Sequence, residues 1–128
     1  MKKVLWKEAE ALCTAKLISL GYDVFIPFNG GGEIDLIAVN NSEVKRIQVK
    51  SITPRNPDYI SVHLSRSSVN YKTIKYKPYT NIDWFLIYDG KNIYRIPSEL
   101  VNCNINLRYS PTKNNQKLGV FMASDFII

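Results

Sequence analysis

The chain has 128 residues, with 17 Lys and Arg against 11 Asp and Glu and a formal net charge of +6. That length suits one domain, residues 1–128, with a core that needs no staples, and the basic balance points to polyanionic partners, nucleic acid first. No apolar run approaches a transmembrane helix. Val4-Leu5-Trp6 is cut off by Lys7-Glu8 too early for a signal peptide, and Cys13 and Cys103 lie outside any metal-ligand spacing. A reduced, cytoplasmic protein without a membrane partner is expected.

Taken in chain order, residues 4–20 read as a helix whose stripe is Leu5, Ala9, Leu12, the stem of Lys16 and Leu20, with Gly21 as its cap. Residues 22–28 read as a strand stopped by Pro27 and Gly30-Gly31-Gly32. Those glycines precede a strand and lack a following Lys-Ser/Thr, so they make a turn and not a phosphate-binding loop. Strands follow at about 33–39 and 44–52, joined through Asn40-Asn41-Ser42-Glu43. Ile60, Val62 and Leu64 alternate with polar residues as a half-buried strand. Residues 83–88 and 92–96 flank the hairpin signal Asp89-Gly90, and 97–100 read as a short helical turn. One helix and a mostly antiparallel run of strands predict an α/β (mixed α+β) domain.

A tight turn at Asn41-Ser42 makes the numbers of opposed residues add to 83. Asp35 then faces Gln48 and Glu33 faces Lys50, while Ile34–Val49 and Leu36–Ile47 form an apolar floor for the helix. A one-residue slip would bury the charges, so the register is well determined. The clustered acid, amide and amine suit phosphodiester hydrolysis. A metal polarises the phosphoryl oxygen and lowers the pKa of water. Mg²⁺ takes few protein ligands, all hard oxygens. Asp35 would bind it directly, with oxygens of Gln48 and Val49 and a carboxylate from Glu8 on the helix flank. Lys50 would orient the water or stabilise the growing charge.

Glu8, Gly32-Glu33-Ile34-Asp35 and Gln48-Val49-Lys50 together resemble the PD-(D/E)XK nuclease superfamily, and more narrowly the branch of a group I intron-encoded homing endonuclease with a Gln-x-Lys motif. The similarity runs on through residues 79–88, Tyr94-Arg95-Ile96-Pro97, Leu107-Arg108 and Lys113-Asn114-Asn115-Gln116. The resemblance implies a restriction-endonuclease-like central mixed sheet flanked by helices. It also implies a Mg²⁺-dependent DNA-cleaving site (Mn²⁺ substituting) and a homodimer or higher homo-oligomer. Carried over by position, the catalytic set is Glu8, Asp35, Gln48 and Lys50. The proline of the superfamily name is absent before Asp35, and Gln48 removes a negative charge from the commoner pattern.

Residues 66–79 mix Arg66, Lys72, Lys75 and Lys77 with Tyr71, Tyr76 and Tyr79, a pattern for holding a phosphate backbone. Arg55 in a stiff loop just past Lys50, Arg108, and Lys113 in the run to Lys117 are further candidates for contact with double-stranded or branched DNA. His63 is expected to be an exposed strand residue. Two other readings stay open: a structure-specific Holliday junction resolvase, and an inactive nucleic-acid-binding protein, which Gln48 favours and the set Glu8, Asp35 and Lys50 opposes.

Overall fold

The computed structural model describes residues 2–69 and 74–128, with side chains outside 66–76. Helix α1 (Trp6–Ser19) buries Ala9, Cys13 and Leu17, which share one face at four-residue spacing. This corrects the expected stripe, because Leu5, Leu12 and Leu20 are 53%, 40% and 44% exposed. The helix is apolar around much of its circumference, so spacing left its rotation open. The small Ala9 and Cys13 let it lie close on the sheet. Gly21 ends it at a φ of 93°, with its N–H on Ile18 and that of Tyr22 on Leu17, both at 3.0 Å.

The strands are β1 (Asp23–Phe25), β2 (Leu36–Asn40), β3 (Glu43–Ser51), β4 (Tyr59–His63), β5 (Ser65–Val69), β6 (Ile74–Pro78), β7 (Trp84–Tyr88), β8 (Ile93–Pro97), β9 (Asn104–Arg108) and β10 (Phe121–Met122). β1 is shorter than expected, leaving Ile26 and Phe28 exposed beyond its end. β2 and β3 form the expected hairpin: Leu36 opposes Ile47, Asn40 opposes Glu43, and Asn41 turns the chain at a φ of 52°. A short 3-10 turn, Ser98–Leu100, stands where a helical turn is expected.

Five strands make one mixed sheet in the order β1-β2-β3-β7-β8. Its neighbours are antiparallel except the central β3–β7 pair, which is parallel. A parallel pair requires a crossover, and residues 52–83 supply it, carrying β4, β5 and β6. β4, β9 and β10 form a second sheet of three strands, and β5–β6 a two-stranded ribbon. Where β3 meets β7, Arg46 clamps Asp83: its main-chain N–H and Nε donate to Oδ2 at 2.8 and 3.1 Å, and Nη2 to Oδ1 at 3.2 Å. These hydrogen bonds from Arg46 hold the Asp83 carboxyl below the ordinary range.

The layers follow from strand alternation. On one face Leu36, Ala38, Ile47 and Leu86 meet Cys13 and Leu17 of the helix. On the other, Phe85, Ile87, Tyr94 and Ile96 meet Ile60, Val62, Ile105 and Leu107 of the second sheet. The expected restriction-endonuclease-like mixed sheet is thus present. Among the described residues, one α-helix covers one face and a small sheet covers the other. Ile34 packs on the second-sheet side, which corrects its expected place on the helix side opposite Val49. The cause is local: the β2 ladder starts at Leu36, and Asp35 leaves it by donating its N–H to Ile47 at 2.8 Å.

Candidate active site

Alternation along β3 sends Ile47 and Val49 to the helix core, so Gln48 turns to the opposite face, where it is 7% exposed. A buried amide must find partners. Its Nε2 donates to Asp35 Oδ2 at 2.7 Å and to the Glu33 carbonyl at 2.9 Å. Two acceptors on one nitrogen fix the orientation of the amide and leave Oε1 as its acceptor end. Asp35 Oδ2 also accepts the Val49 N–H at 2.8 Å, so the carboxylate takes a main-chain donor that the broken β2 ladder no longer pairs. Asp35 Oδ1 takes no hydrogen bond from the described residues. Burial pushes the Asp35 carboxyl above its ordinary range, outweighing the Val49 N–H, the charge of Lys50 and the Gln48 amide.

This geometry gives Gln48 a reason. A carboxylate in its place would lose both donated hydrogen bonds and set a like charge against Asp35. Lys50, two residues on, lies on the same side of β3. Its Nζ donates to Tyr79 Oη at 3.1 Å and sits 5.3 Å from that ring's centroid. Tyr79 leans on buried Phe85 at 5.7 Å between centroids, which ties the lysine to the second core.

An acid, an amide and a lysine on a broken hairpin strand, backed by a helix, are the arrangement that the sequence motif anticipates. The sequence model for PD-(D/E)XK endonuclease matches residues 2–128. The chain belongs to the PD-(D/E)XK endonuclease family. The fold of this PD-(D/E)XK endonuclease is similar to the solved structure of a bacterial homing endonuclease, I-Ssp6803I. The TM-score is 0.74 over 95% of this chain and 85% of that one, at 18% identity. No curated protein sequence matches it.

The structure brings Asp35, Gln48, Val49 and Lys50 together, and it separates the helix carboxylates. Residues 8 and 10 flank Ala9, which points at the sheet, so their side chains leave on opposite flanks. Glu8 faces Tyr88: burial first, then the charge and hydrogen bond of Glu8, push the Tyr88 hydroxyl up. Glu10 is the helix carboxylate that feels Asp35. Burial, then the Asp35 charge, raise its carboxyl above the ordinary range. Sequence reasoning names Glu8 and not Glu10, because it rotates the helix onto Leu12. Free Cys13, among the most buried residue types, is the available signal. Tyr79 reads from sequence only as one of several tyrosines in a basic patch. Among the described residues no three of His, Cys, Asp and Glu cluster as a metal site.

Glu33, expected across from Lys50, lies off the β2–β3 ladder, and its carboxylate oxygens are buried. Of the candidate DNA contacts, Arg55, Lys77 and Lys113 are exposed, and half-buried Arg108 lies 5.9 Å from the Tyr59 ring centroid. The side chains of Arg66, Lys72 and Lys75 lie outside the described residues. His63 is exposed on β4, as expected. No helix among the described residues is long and apolar enough to cross a membrane.

Proposed function

We propose that this protein is a metal-dependent endodeoxyribonuclease that hydrolyses DNA phosphodiester bonds with Mg²⁺, for which Mn²⁺ substitutes. The observation that carries this reading is the half-satisfied Asp35. Its Oδ2 is fixed by two donors, its Oδ1 takes no hydrogen bond from the described residues, and a second raised carboxylate, Glu10, feels its charge. A carboxylate raised by burial whose charge reaches a second raised carboxylate fits a site made to receive a cation, and hard oxygen donors fit Mg²⁺.

Asp35 Oδ1, Gln48 Oε1, the Val49 carbonyl and Glu10 would hold the ion, with Glu8 turned away towards Tyr88. The bound ion would supply Lewis-acid polarisation of the phosphoryl oxygen and a water of lowered pKa. Gln48 orients Asp35. Lys50, steadied by Tyr79, places its ammonium where a scissile phosphate gains charge, or orients the attacking water. One such site cuts one strand, so cutting a duplex calls for a homodimer or higher homo-oligomer, with two-fold symmetry the default.

The test is cleavage of supercoiled plasmid and of a synthetic four-way junction in Mg²⁺ and in Mn²⁺. Asp35→Ala and Lys50→Ala are each expected to lose about 10³-fold or more in rate. Cutting retained in both variants would overturn the reading. Preference for the junction would make the enzyme a structure-specific resolvase.

A further inference from the structure

On the second sheet, alternation sends Ile60, Val62, Ile105 and Leu107 into the core. The register then sets Tyr59 beside Arg108, Ser61 beside Asn106 and His63 beside Asn104, as pairs on the opposite face. All six are exposed except half-buried Arg108. A merely solvated sheet face mixes acids with bases, and these two rows contain no acid. Asp58, just before Tyr59, is engaged by the Ser110 hydroxyl at 3.1 Å. Arg108 is steadied by Tyr59 and by one hydrogen bond, from Nε to the Ser110 carbonyl at 2.9 Å.

Two grooves cross this face, of about 570 and 300 Å³, and Tyr59 and Ser61 line both. The larger runs from Ser51, the residue after Lys50, past Arg55 to His63. Neither groove has an acidic lining residue. The surface is therefore continuous with the catalytic strand and has the sign of charge that a phosphate backbone requires. Its side chains are also those that read base edges: arginine pairs with guanine, asparagine with adenine, and serine with either.

We propose that the outer face of the β4–β9 pair is the sequence-reading surface for the enzyme's duplex substrate and docks in the DNA major groove. Two adjacent strands, about 4.8 Å apart, fit a groove about 12 Å wide. The proposal rests on the nuclease reading and deepens it, for it assigns recognition to Asn106, Arg108 and Ser61, separate from the site that cuts.

The experiment uses the full chain in Ca²⁺ and selects bound duplexes from a randomised 30-base-pair pool. Cleavage of the selected duplex in Mg²⁺ follows. Asn106→Ala and Arg108→Ala are each expected to weaken binding of the selected duplex about tenfold. Each should flatten the preference at one or two base positions while leaving the melting temperature unchanged. Asp35→Ala should bind the selected duplex like the wild type and not cut it. If both face variants select and bind as the wild type does, the reading surface lies elsewhere, while loss of cutting in Asp35→Ala still upholds the nuclease. A change of oligomeric state in the face variants, with DNA preference intact, would make this face an interface between copies and overturn the proposal. No binding of the pool by the wild type at low salt would overturn both readings.

Discussion

Asp35 and Asp89 are both aspartates at strand ends, and the protein treats them in opposite ways. Asp89, 7% exposed, receives four hydrogen bonds. The N–H groups of Lys91 and Asn92 reach Oδ1 at 2.9 and 2.8 Å, and the hydroxyls of Tyr94 and Tyr109 reach Oδ2 at 2.7 Å each. Burial alone would push Asp89 up, but the four donors together win and hold its carboxyl below the ordinary range. Asp35 receives two donors, both on one oxygen, and burial wins there. The supply of donors separates the two roles. A carboxylate satisfied on both oxygens pins strands together, whereas one satisfied on a single oxygen stays open to a cation. The tyrosines bear this out, since burial and then their shared acceptor push Tyr94 up to about 12 and Tyr109 higher still.

The contrast breaks most sharply if the two residues are removed in turn. Asp35→Ala should cost about 10³-fold in cleavage rate, with denaturant unfolding close to wild type. Asp89→Ala should leave the hydroxyls of buried Tyr94 and half-buried Tyr109 without their acceptor and cost about 3 kcal/mol in a urea titration. Its folded fraction should still cut DNA. An Asp89 variant that loses activity and keeps its stability would erase the distinction.

Next in size is the comparison of the helix acids. Glu10→Gln should reduce Mg²⁺-dependent cleavage about 10²-fold and weaken the rise in melting temperature that Mg²⁺ gives the wild type. Glu8→Gln should change neither by more than about twofold. A reversed order would return the metal shell to Glu8.

Tyr79→Phe keeps the ring against Phe85 and removes the hydrogen bond to Lys50. A loss of about five- to tenfold in kcat, with DNA affinity and melting temperature unchanged, would mark Tyr79 as the residue that positions Lys50.

The smallest effect lies in the pH dependence of stability without metal. Asp35 is raised in the folded state, so the folded protein holds that proton more tightly than the unfolded chain. Its contribution is most favourable below the ordinary aspartate value of about 3.9 and declines as pH rises through the raised folded value. Asp35→Asn, which keeps an oxygen for the Gln48 and Val49 donors, should remove that decline and melt at a higher temperature than wild type at neutral pH. Asp89 is lowered, so its contribution is full above about 3.9 and is lost as pH falls through the depressed value. Thermal melts of the two variants across that range should bend in opposite directions.

The β2–β3 hairpin is legible in the sequence because few physical choices are open. Asn41-Ser42 permits one turn, the turn permits one register, and a slipped register would bury Lys50. That logic alone places Asp35 beside Gln48. It fails two residues earlier, at Glu33 and Ile34, because nothing in the pattern says where a ladder stops. The helix rotation is not legible either. Leu5, Leu12 and Ile18 compete with Ala9, Cys13 and Leu17, and only the sheet beneath decides among them. The parallel β3–β7 pair joins residues such as Ile47 and Trp84, and the reach of Tyr79 to Lys50 spans 29 positions, separations at which local patterning carries no signal.

The two connections that meet at β3 differ in how much change they tolerate. The crossover from β3 to β7 closes a long loop, and the entropy of closing a loop grows only with the logarithm of its length. Doubling residues 52–83 would cost about 0.6 kcal/mol. The β5–β6 ribbon within it, Ser65–Val69 and Ile74–Pro78, is therefore free to lengthen or shorten at small cost to stability. The turn at Asn41-Ser42 has no such freedom, because one inserted residue would shift Asp35 past Gln48. Descent with modification can reshape the crossover of this nuclease, while its hairpin turn must keep its length.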